Sequence, residues 1–468
     1  MNRPDNFQKY LELRAEYPVF TYESYSIELV DHEIVIRFSF NLNDRFQFYP
    51  ETRIPVRPGI SDLFFNSGGH PEDLKIFAFN IGMIELISYW KAACSPRVIV
   101  KPHTLDQEQI RWWKKIYFNG LGEFFYLNGI DDPDEETFME IVSEGPPVGS
   151  PSFELNDDAA IVPIGGGKDS VVTLELLRTN RIDILPLIMN PRGATLNCIK
   201  AAGFTPDNIF LINRTIHPQL LELNAKGFLN GHTPFSAMLG FNTILASVLS
   251  GRKHIALSNE SSANESTVEG SKINHQYSKS FEFEQDFRNY VSRYLSAKPN
   301  YFSFLRPLSE LQIAALFSRY ESYHDVFRSC NAGSKTDSWC GKCPKCLFTF
   351  TILSPFIGRE RLIRIFGKDL FADQTLTLFL RQLTGLEKVK PFECVGTVDE
   401  VNAALQQTIE SLNNRELPLL LKDYPNSTAG RSLAPGQFKR MLTAFVPEHN
   451  LEPRFELILK NALSWLSK

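Results

Sequence analysis

The order of apolar and polar residues first indicates an α+β stretch at the start of the 468-residue chain. Apolar and polar residues alternate over 25–30 and over 34–40, with Asp31-His32-Glu33 between them. Alternation with a period of two is typical of half-buried strands, so this pair predicts a β-hairpin. Over 75–93 the apolar residues recur at steps of three and four, which predicts a helix. Residues 1–150 are therefore expected to form an N-terminal α+β domain.

A segment rich in Pro, Gly and Ser, 144–151, precedes a different pattern, in which short apolar runs alternate with helical stretches. The candidate strands are 159–164, 184–189, 208–212 and 254–257. Such alternation predicts an α/β domain over 151–355, with a central parallel sheet and helices on both faces. Ligands of such sheets bind at the carboxyl ends of the strands. The remaining residues, 356–468, are predicted to be a helical C-terminal region.

The loop after the first of these strands carries the clearest chemical signal, Gly165-Gly166-Gly167-Lys168-Asp169-Ser170. Glycines let the backbone curl so that several N–H groups face one anion, and a helix start adds unpaired donors and a positive dipole end. The loop therefore predicts a phosphate site with Lys168 as its cation, and a glycine-rich turn without a ligand is the alternative. A Walker loop needs Ser or Thr directly after its Gly-Lys. Here Asp169 intervenes, which disfavours transfer of a γ-phosphoryl group.

Composition and charge limit the classes of partner that the protein is expected to bind. The chain has 49 Lys and Arg against 54 Asp and Glu, a net charge of -5. This balance argues against a large nucleic-acid footprint and leaves room for a local basic pocket. The N-terminal residues lack the apolar core of a signal peptide, and no apolar stretch is long enough to span a bilayer. We expect a cytoplasmic protein with a small-molecule substrate and neither a nucleic-acid nor a membrane partner.

Four of the seven cysteines are clustered, at Cys330, Cys340, Cys343 and Cys346. Two successive Cys-x-x-Cys spacings and a more distant thiol are typical of a tetrahedral zinc site. An iron–sulfur cluster and free thiols are the alternatives. A closed Cys₄ site stabilises a fold and performs no chemistry. The isolated Cys394 is expected to have a packing role.

Two polar segments follow the strand at 254–257, where the site of an α/β sheet opens. Within 258–265, Glu260 and Glu265 are candidate ligands for Mg²⁺. The segment 274–280 supplies a titratable histidine, a phenol and a lysine, although a solvated loop would look the same. Three arginines are candidates to meet substrate phosphates: Arg288, Arg306 and Arg328.

These motifs together resemble known families. The glycine loop resembles the Ser-Gly-Gly-x-Asp-Ser loop of the PP-loop ATP pyrophosphatases, with Gly165 in place of the usual serine. The cysteines resemble those of 7-cyano-7-deazaguanine synthase. The loop, the two polar segments, the segment 301–310 and the cysteines, in this order, are similar to the UDP-N-acetylmuramoyl-L-alanyl-L-glutamate epimerases of bacterial cell-wall synthesis.

The resemblance implies a PP-loop fold of the adenine nucleotide alpha hydrolase type and an ATP-dependent epimerase. That family converts the terminal L-Glu of a UDP-muramoyl dipeptide to D-Glu and cleaves ATP to AMP and pyrophosphate. The implied cofactors are ATP and Mg²⁺, with structural Zn²⁺. The implied nucleotide-binding residues are Gly165, Gly166, Gly167, Lys168, Asp169, Ser170, Glu260 and Glu265. The candidate substrate-binding residues are Asn259, Asn264, Tyr277 and Arg306.

Lys168 and Asp169 are expected to act in catalysis. The motifs do not identify the residues that transfer protons, and His275 and Lys279 are the candidates for this role. Two other functions stay open. A PP-loop synthetase that modifies a nucleobase or tRNA predicts binding of deazapurine or tRNA, of which the acidic net charge disfavours the tRNA version. A non-catalytic ATP-binding protein predicts ATP binding without release of pyrophosphate.

Overall fold

The computed structural model describes residues 5–131, 133–151, 153–412, 416–431, 434 and 436–466. The chain forms two compact units, each discontinuous in sequence. The first unit comprises residues 1–161, 210–255 and 277–301. The second comprises residues 162–209, 256–276 and 302–468. The continuous domain bounds expected near 150 and 355 stay a prediction.

The strands in the described residues are β1 (Val19–Val30), β2 (Glu33–Leu42), β3 (Phe46–Phe48), β4 (Glu51–Pro55), β5 (Arg97–Val100), β6 (Glu140–Ser143), β7 (Asn156–Pro163), β8 (Asp183–Met189), β9 (Phe210–Arg214), β10 (Arg252–Leu257) and β11 (Asn300–Ser303). The helices up to the second polar segment are α1 (Phe7–Glu16), α2 (Leu63–Asn66), α3 (Lys75–Trp90), α4 (Gln107–Gly120), α5 (Gly122–Leu127), α6 (Lys168–Thr179), α7 (Gly193–Ala201), α8 (Pro218–Ala225) and α9 (Phe235–Ser250). The later helices are α10 (Phe281–Tyr290), α11 (Glu310–Phe317), α12 (Pro344–Leu353), α13 (Arg359–Phe366), α14 (Thr377–Leu383), α15 (Val398–Ser411), α16 (Thr428–Arg431), α17 (Gln437–Thr443) and α18 (Pro453–Ser464). None of these described helices has both the length and the apolar character that crossing a membrane requires.

The predicted hairpin is the centre of the sheet in the first unit. β1 and β2 pair antiparallel up to Val30 and Glu33, so the turn has two residues. Asp31 and His32 both have positive φ, 49° and 61°, as a type I′ turn requires. β1 also pairs in parallel with β5, and β5 pairs in parallel with β6. The helix predicted over 75–93 is α3, which packs against β1.

Aromatic side chains fill the space between α3 and this sheet. Tyr22 is fully buried and stacks on Phe79 of α3 with ring centroids 5.9 Å apart. A Cβ at Gly82 would lie 1.9 Å from the Tyr22 hydroxyl oxygen, so only glycine allows α3 to approach so closely. The contact between α3 and the sheet therefore depends on the packing of aromatic rings.

The α/β class is confirmed, but the sheet is mixed and not purely parallel. The four strands predicted beyond the Pro-rich segment are β7, β8, β9 and β10, each within a few residues of its predicted bounds. β10 pairs in parallel with β7, in the register His254 to Ala160 and Ile255 to Ile161. β9 instead pairs antiparallel with β4. Strand alternation could not reveal this exception, because its partner belongs to the N-terminal stretch.

The second unit contains the carboxyl ends of β7, β10 and β11, together with β8. α6 packs against α11 and α18, and α12 packs against α11, α14 and α15. The region from Pro355 onward contains helices, as predicted, and its long helix α15 begins at a Thr397 capping box. The strand ends that open an α/β site therefore belong to one unit with this helical region.

A buried ion pair between β9 and α3 gives a prediction about the stability of the first unit. Arg214 forms a bidentate pair with Glu85, with both N···O distances 2.7 Å and side chains 10% and 2% exposed. Removing one partner of a buried pair leaves an uncompensated charge. We expect Glu85→Gln to lower the free energy of unfolding in urea by about 3–5 kcal/mol. Glu28→Gln, which breaks the exposed pair with Arg37, should cost at most about 1 kcal/mol. Equal losses would contradict the expectation.

Candidate active site

The glycine loop joins β7 to α6 in the order that the sequence predicts. Gly166 has a φ of 81°, and a Cβ there would lie 3.0 Å from backbone atoms of Ala194 and Thr195 in α7. Both the left-handed backbone and the close approach require glycine. The Arg328 backbone N–H donates to the Gly166 carbonyl over 2.8 Å and fixes the turn. The N-cap residue of α6, Gly167, makes no side-chain cap hydrogen bond, and such a helix start is suited to an anion.

Lys168, the first residue of α6, is buried between two carboxylates. It is 4% exposed, and its ammonium donates to Asp169 and Glu310. Burial lowers the pKa of Lys168, but the two carboxylates raise it further, so the net shift is upward and the ammonium stays charged. Burial raises the pKa of Glu310, and the charge of Lys168 opposes that shift. A bound anion would therefore compete with these carboxylates for Lys168.

Glu400 connects this ion pair to the helical region. One of its carboxylate oxygens accepts the backbone N–H of Glu310 over 2.7 Å. The other accepts the N–H and the hydroxyl of Thr397 over 2.6 and 3.0 Å. One buried carboxylate thus satisfies the N-termini of α11 and α15 together. Burial raises the pKa of Glu400, and these hydrogen bonds oppose the shift.

The backbone at Gly396 passes directly beside these carboxylates. A Cβ there would lie 2.8 Å from a Glu400 carboxylate oxygen and 3.2 Å from both Glu310 Cγ and Phe348 Cε2. Its carbonyl accepts from Lys390 Nζ over 2.9 Å. The segment from Lys390 to Glu400 therefore lies along the site, although nothing in its sequence pattern indicates this.

The predicted carboxylates Glu260 and Glu265 have different surroundings. Glu265 is ion-paired with Lys390. Glu260 is 4% exposed, and its charge contributes to the raised pKa of Glu310, for which burial is the main cause. Of these two carboxylates, Glu260 is therefore the one that lies near the buried carboxylate of Glu310.

Polar residues at the ends of β10 and β11 lie close together. Arg306 is fully buried and donates to the Glu260 carbonyl over 2.6 Å and to the Ser303 hydroxyl over 3.2 Å. Asn259 donates to the same hydroxyl over 3.0 Å. Ser303, which the motifs did not single out, therefore connects two predicted substrate-binding residues.

The remaining predicted residues are distributed over both units. His275 belongs to the second unit with Asn264, and its backbone N–H donates to the Thr267 hydroxyl over 3.0 Å. Tyr277 and Lys279 belong to the first unit, on a short 3₁₀ turn. Burial raises the pKa of Tyr277.

The other two predicted phosphate-binding arginines contact protein carbonyls. Arg288 donates to the Asn300 side chain over 2.9 Å and to the Tyr301 carbonyl. Arg328 donates from its side chain to the Phe327 carbonyl over 2.7 Å. Both guanidinium groups therefore support the backbone around them.

The four clustered cysteines form one group, as predicted. The Sγ–Sγ distances are 3.8 Å for Cys330 and Cys343, 3.7 Å for Cys340 and Cys346, and 3.5 Å for Cys343 and Cys346. A tetrahedron with metal–sulfur bonds of about 2.3 Å has edges of about 3.8 Å. Gly341, with a φ of 63°, makes the turn that brings three of the thiols together. Donor type, number and spacing therefore fit one tetrahedral ion.

Fold and site together define an α/β protein with a glycine loop at a helix N-terminus and a group of four cysteines whose spacing fits one metal ion. The family profile described as "MurL N-terminal domain" matches residues 12–304, and that described as "MurL C-terminal domain" matches residues 326–432. The chain belongs to the MurL family, which confirms the resemblance seen in the motifs.

Three relatives named "UDP-N-acetyl-alpha-D-muramoyl-L-alanyl-L-glutamate epimerase" are similar over most of the chain. The Micromonospora sp. protein is 35% identical over 413 residues, which cover 86% of this chain and 89% of the relative. The Salinispora tropica protein is 36% identical over 429 residues, 89% and 90% of the two chains. The Xanthomonas oryzae pv. oryzae protein is 37% identical over 331 residues, 69% and 72% of the two chains.

The close approach at Gly396 gives a prediction. We expect Gly396→Ala to lower the free energy of unfolding by about 1–3 kcal/mol, because the new methyl group overlaps the Glu400 carboxylate. Urea denaturation measures the loss. Gly149→Ala is the control, since a Cβ there meets nothing within 4 Å. A Gly396→Ala variant as stable as the parent would contradict the packing described.

The cysteine group gives a second prediction. We expect the purified chain to contain about one zinc ion, and Cys346→Ser to lose it, because three sulfurs leave the tetrahedron incomplete. Cys394→Ser, which changes a half-buried thiol outside the group, should keep the ion. Elemental analysis by mass spectrometry measures zinc and iron together. Iron in place of zinc, or zinc retained in Cys346→Ser, would contradict the assignment.

Proposed function

We propose that this chain catalyses the ATP-dependent epimerisation of the terminal L-Glu of UDP-MurNAc-L-Ala-L-Glu to D-Glu in peptidoglycan precursor synthesis. The observation that carries the proposal is the α6 N-terminus without a side-chain cap, beginning at the buried Lys168. Such a terminus is suited to the phosphates of a nucleotide. The substrate is inferred from the names of the MurL relatives.

Activation of the carboxyl group explains why an epimerase would need ATP. The negative charge of a carboxylate opposes removal of the neighbouring α-proton. In the proposed reaction a carboxylate oxygen of the substrate attacks the α-phosphorus of ATP. The bond from that phosphorus to the bridging oxygen breaks, and pyrophosphate leaves. The loop N–H groups and Lys168 would stabilise the charge that develops on the departing phosphates.

The resulting acyl-adenylate carries no charge on its acyl group and can accept the electrons of the broken Cα–H bond. A base removes the α-proton and a donor returns a proton to the opposite face. We propose His275 and Lys279 for these roles, since both are half-buried titratable groups in the polar segment after β10. Water then cleaves the acyl-adenylate and releases AMP and the D-Glu product.

Mg²⁺ would be held at Glu260, because its carboxylate is of the ligand type that Mg²⁺ prefers and Glu265 is paired with Lys390. The ion would neutralise charge on the phosphates. The Cys₄ group would hold zinc in a structural role, as its closed donor set leaves no position for a substrate.

One assay tests the proposal. We expect the chain, incubated with ATP, Mg²⁺ and UDP-MurNAc-L-Ala-L-Glu, to form AMP and pyrophosphate and to yield D-Glu on chiral analysis. Lys168→Met should lower kcat/KM by about 100-fold or more, because it removes a charge from the phosphate site. Lys200→Met, an exposed lysine of α7, is the control and should leave kcat/KM unchanged.

The products separate the alternatives. Formation of ADP would contradict the proposal. Pyrophosphate release with a deazapurine precursor, and not with the dipeptide, would indicate the synthetase. ATP binding without pyrophosphate release under any of these conditions would indicate a non-catalytic binding protein.

A further inference from the structure

A second buried lysine lies beside the site and has no counter-charge in contact. Lys345 stands between Cys343 and Cys346, near the start of α12, and is 8% exposed. Its ammonium lies over the Phe348 ring, 5.4 Å from the centroid. Within the part of the chain that the structure describes, no hydrogen bond or ion pair to this ammonium is present.

The position of Phe348 places this lysine next to the Lys168 ion pair. A Cβ at Gly396 would lie 3.2 Å from both Phe348 Cε2 and Glu310 Cγ. The Phe348 ring and the Glu310 side chain therefore both pack against the backbone at Gly396. The charge of Lys345 also lowers the pKa of Glu310, against the larger effect of burial. Lys345 therefore lies near Glu310 without forming an ion pair with it.

Lys168 and Lys345 differ in the counter-charges that contact their ammonium groups. Lys168 is held by Asp169 and Glu310, so an anion must displace one carboxylate before it gains the full charge. Lys345 contacts no carboxylate among the described residues, so its charge is available without such an exchange. A lysine ammonium is a compact charge with three donors that suits phosphate oxygens.

We propose that Lys345 is a second anion-binding lysine of this site, that it contacts a phosphate of the bound nucleotide, and that the Cys₄ group holds it in place. The identity of the anion rests on the proposed function. Cys343 and Cys346 flank Lys345, so an ion bound to both thiolates fixes the backbone that carries the ammonium. The metal would then contribute to nucleotide affinity without touching the nucleotide.

Calorimetric titration with Mg²⁺·ATP, without the dipeptide, tests this assignment. We expect Lys345→Met to raise the Kd by about tenfold or more, since one charged hydrogen bond is lost. The variant should keep its zinc and its Tm. Lys342→Met is a closely matched control, because Lys342 lies in the same cysteine loop but is exposed. Its Kd should stay within about twofold of the parent. Lys345→Gln is the second variant should the methionine variant fail to fold.

Removal of the metal tests the role of the cysteines. The parent chain, stripped of its metal by a chelator that is dialysed away before Mg²⁺·ATP is added, should bind Mg²⁺·ATP with a raised Kd. The same treatment should have little further effect in Lys345→Met, since the two changes act through the same ammonium. A Kd in Lys345→Met equal to that of the parent would overturn the proposal. So would a weaker affinity for the dipeptide alone with unchanged ATP affinity. If the parent chain itself bound no ATP, the proposed function would fall, and this inference with it.

Discussion

The site depends on keeping the Lys168 ammonium charged in a place that excludes water. Burial alone would drive the proton off this lysine, and the carboxylates of Asp169 and Glu310 prevent it. Glu310 in turn is fixed through its backbone N–H by Glu400. The first turn of α6 is thus connected, through two carboxylates, to the first turn of α15. The position of the Lys168 ammonium at the end of the glycine loop therefore depends on this series of contacts.

Local pattern was enough to predict the elements that present the chemistry. Strand alternation identified the hairpin of β1 and β2, and the apolar runs identified β7, β8, β9 and β10. The glycine loop and the cysteine group were readable because each consists of residues close together in sequence. In both, the chemistry requires a fixed spacing, and a fixed spacing survives in a single sequence.

The features of the fold and the site that the sequence did not predict depend on contacts between residues distant in sequence. Thr397 and Glu400 read locally as a capping box for one helix, and nothing in the sequence shows that the same carboxylate caps α11 as well. Gly396 has an ordinary backbone, and its need for glycine comes only from side chains brought against it. The antiparallel partner of β9 was missed for the same reason. The periodicity of apolar residues along a segment does not show which distant residues that segment contacts.

The shared cap also has a consequence for how the protein is made. Lys168 and its loop leave the ribosome long before Glu400, which holds Glu310 in position. A nascent chain that ends before α15 has the entire glycine loop but lacks the carboxylate that anchors α11. The surroundings of Lys168 are therefore completed late in synthesis, and a product of premature termination would contain Lys168 without a fully anchored counter-charge.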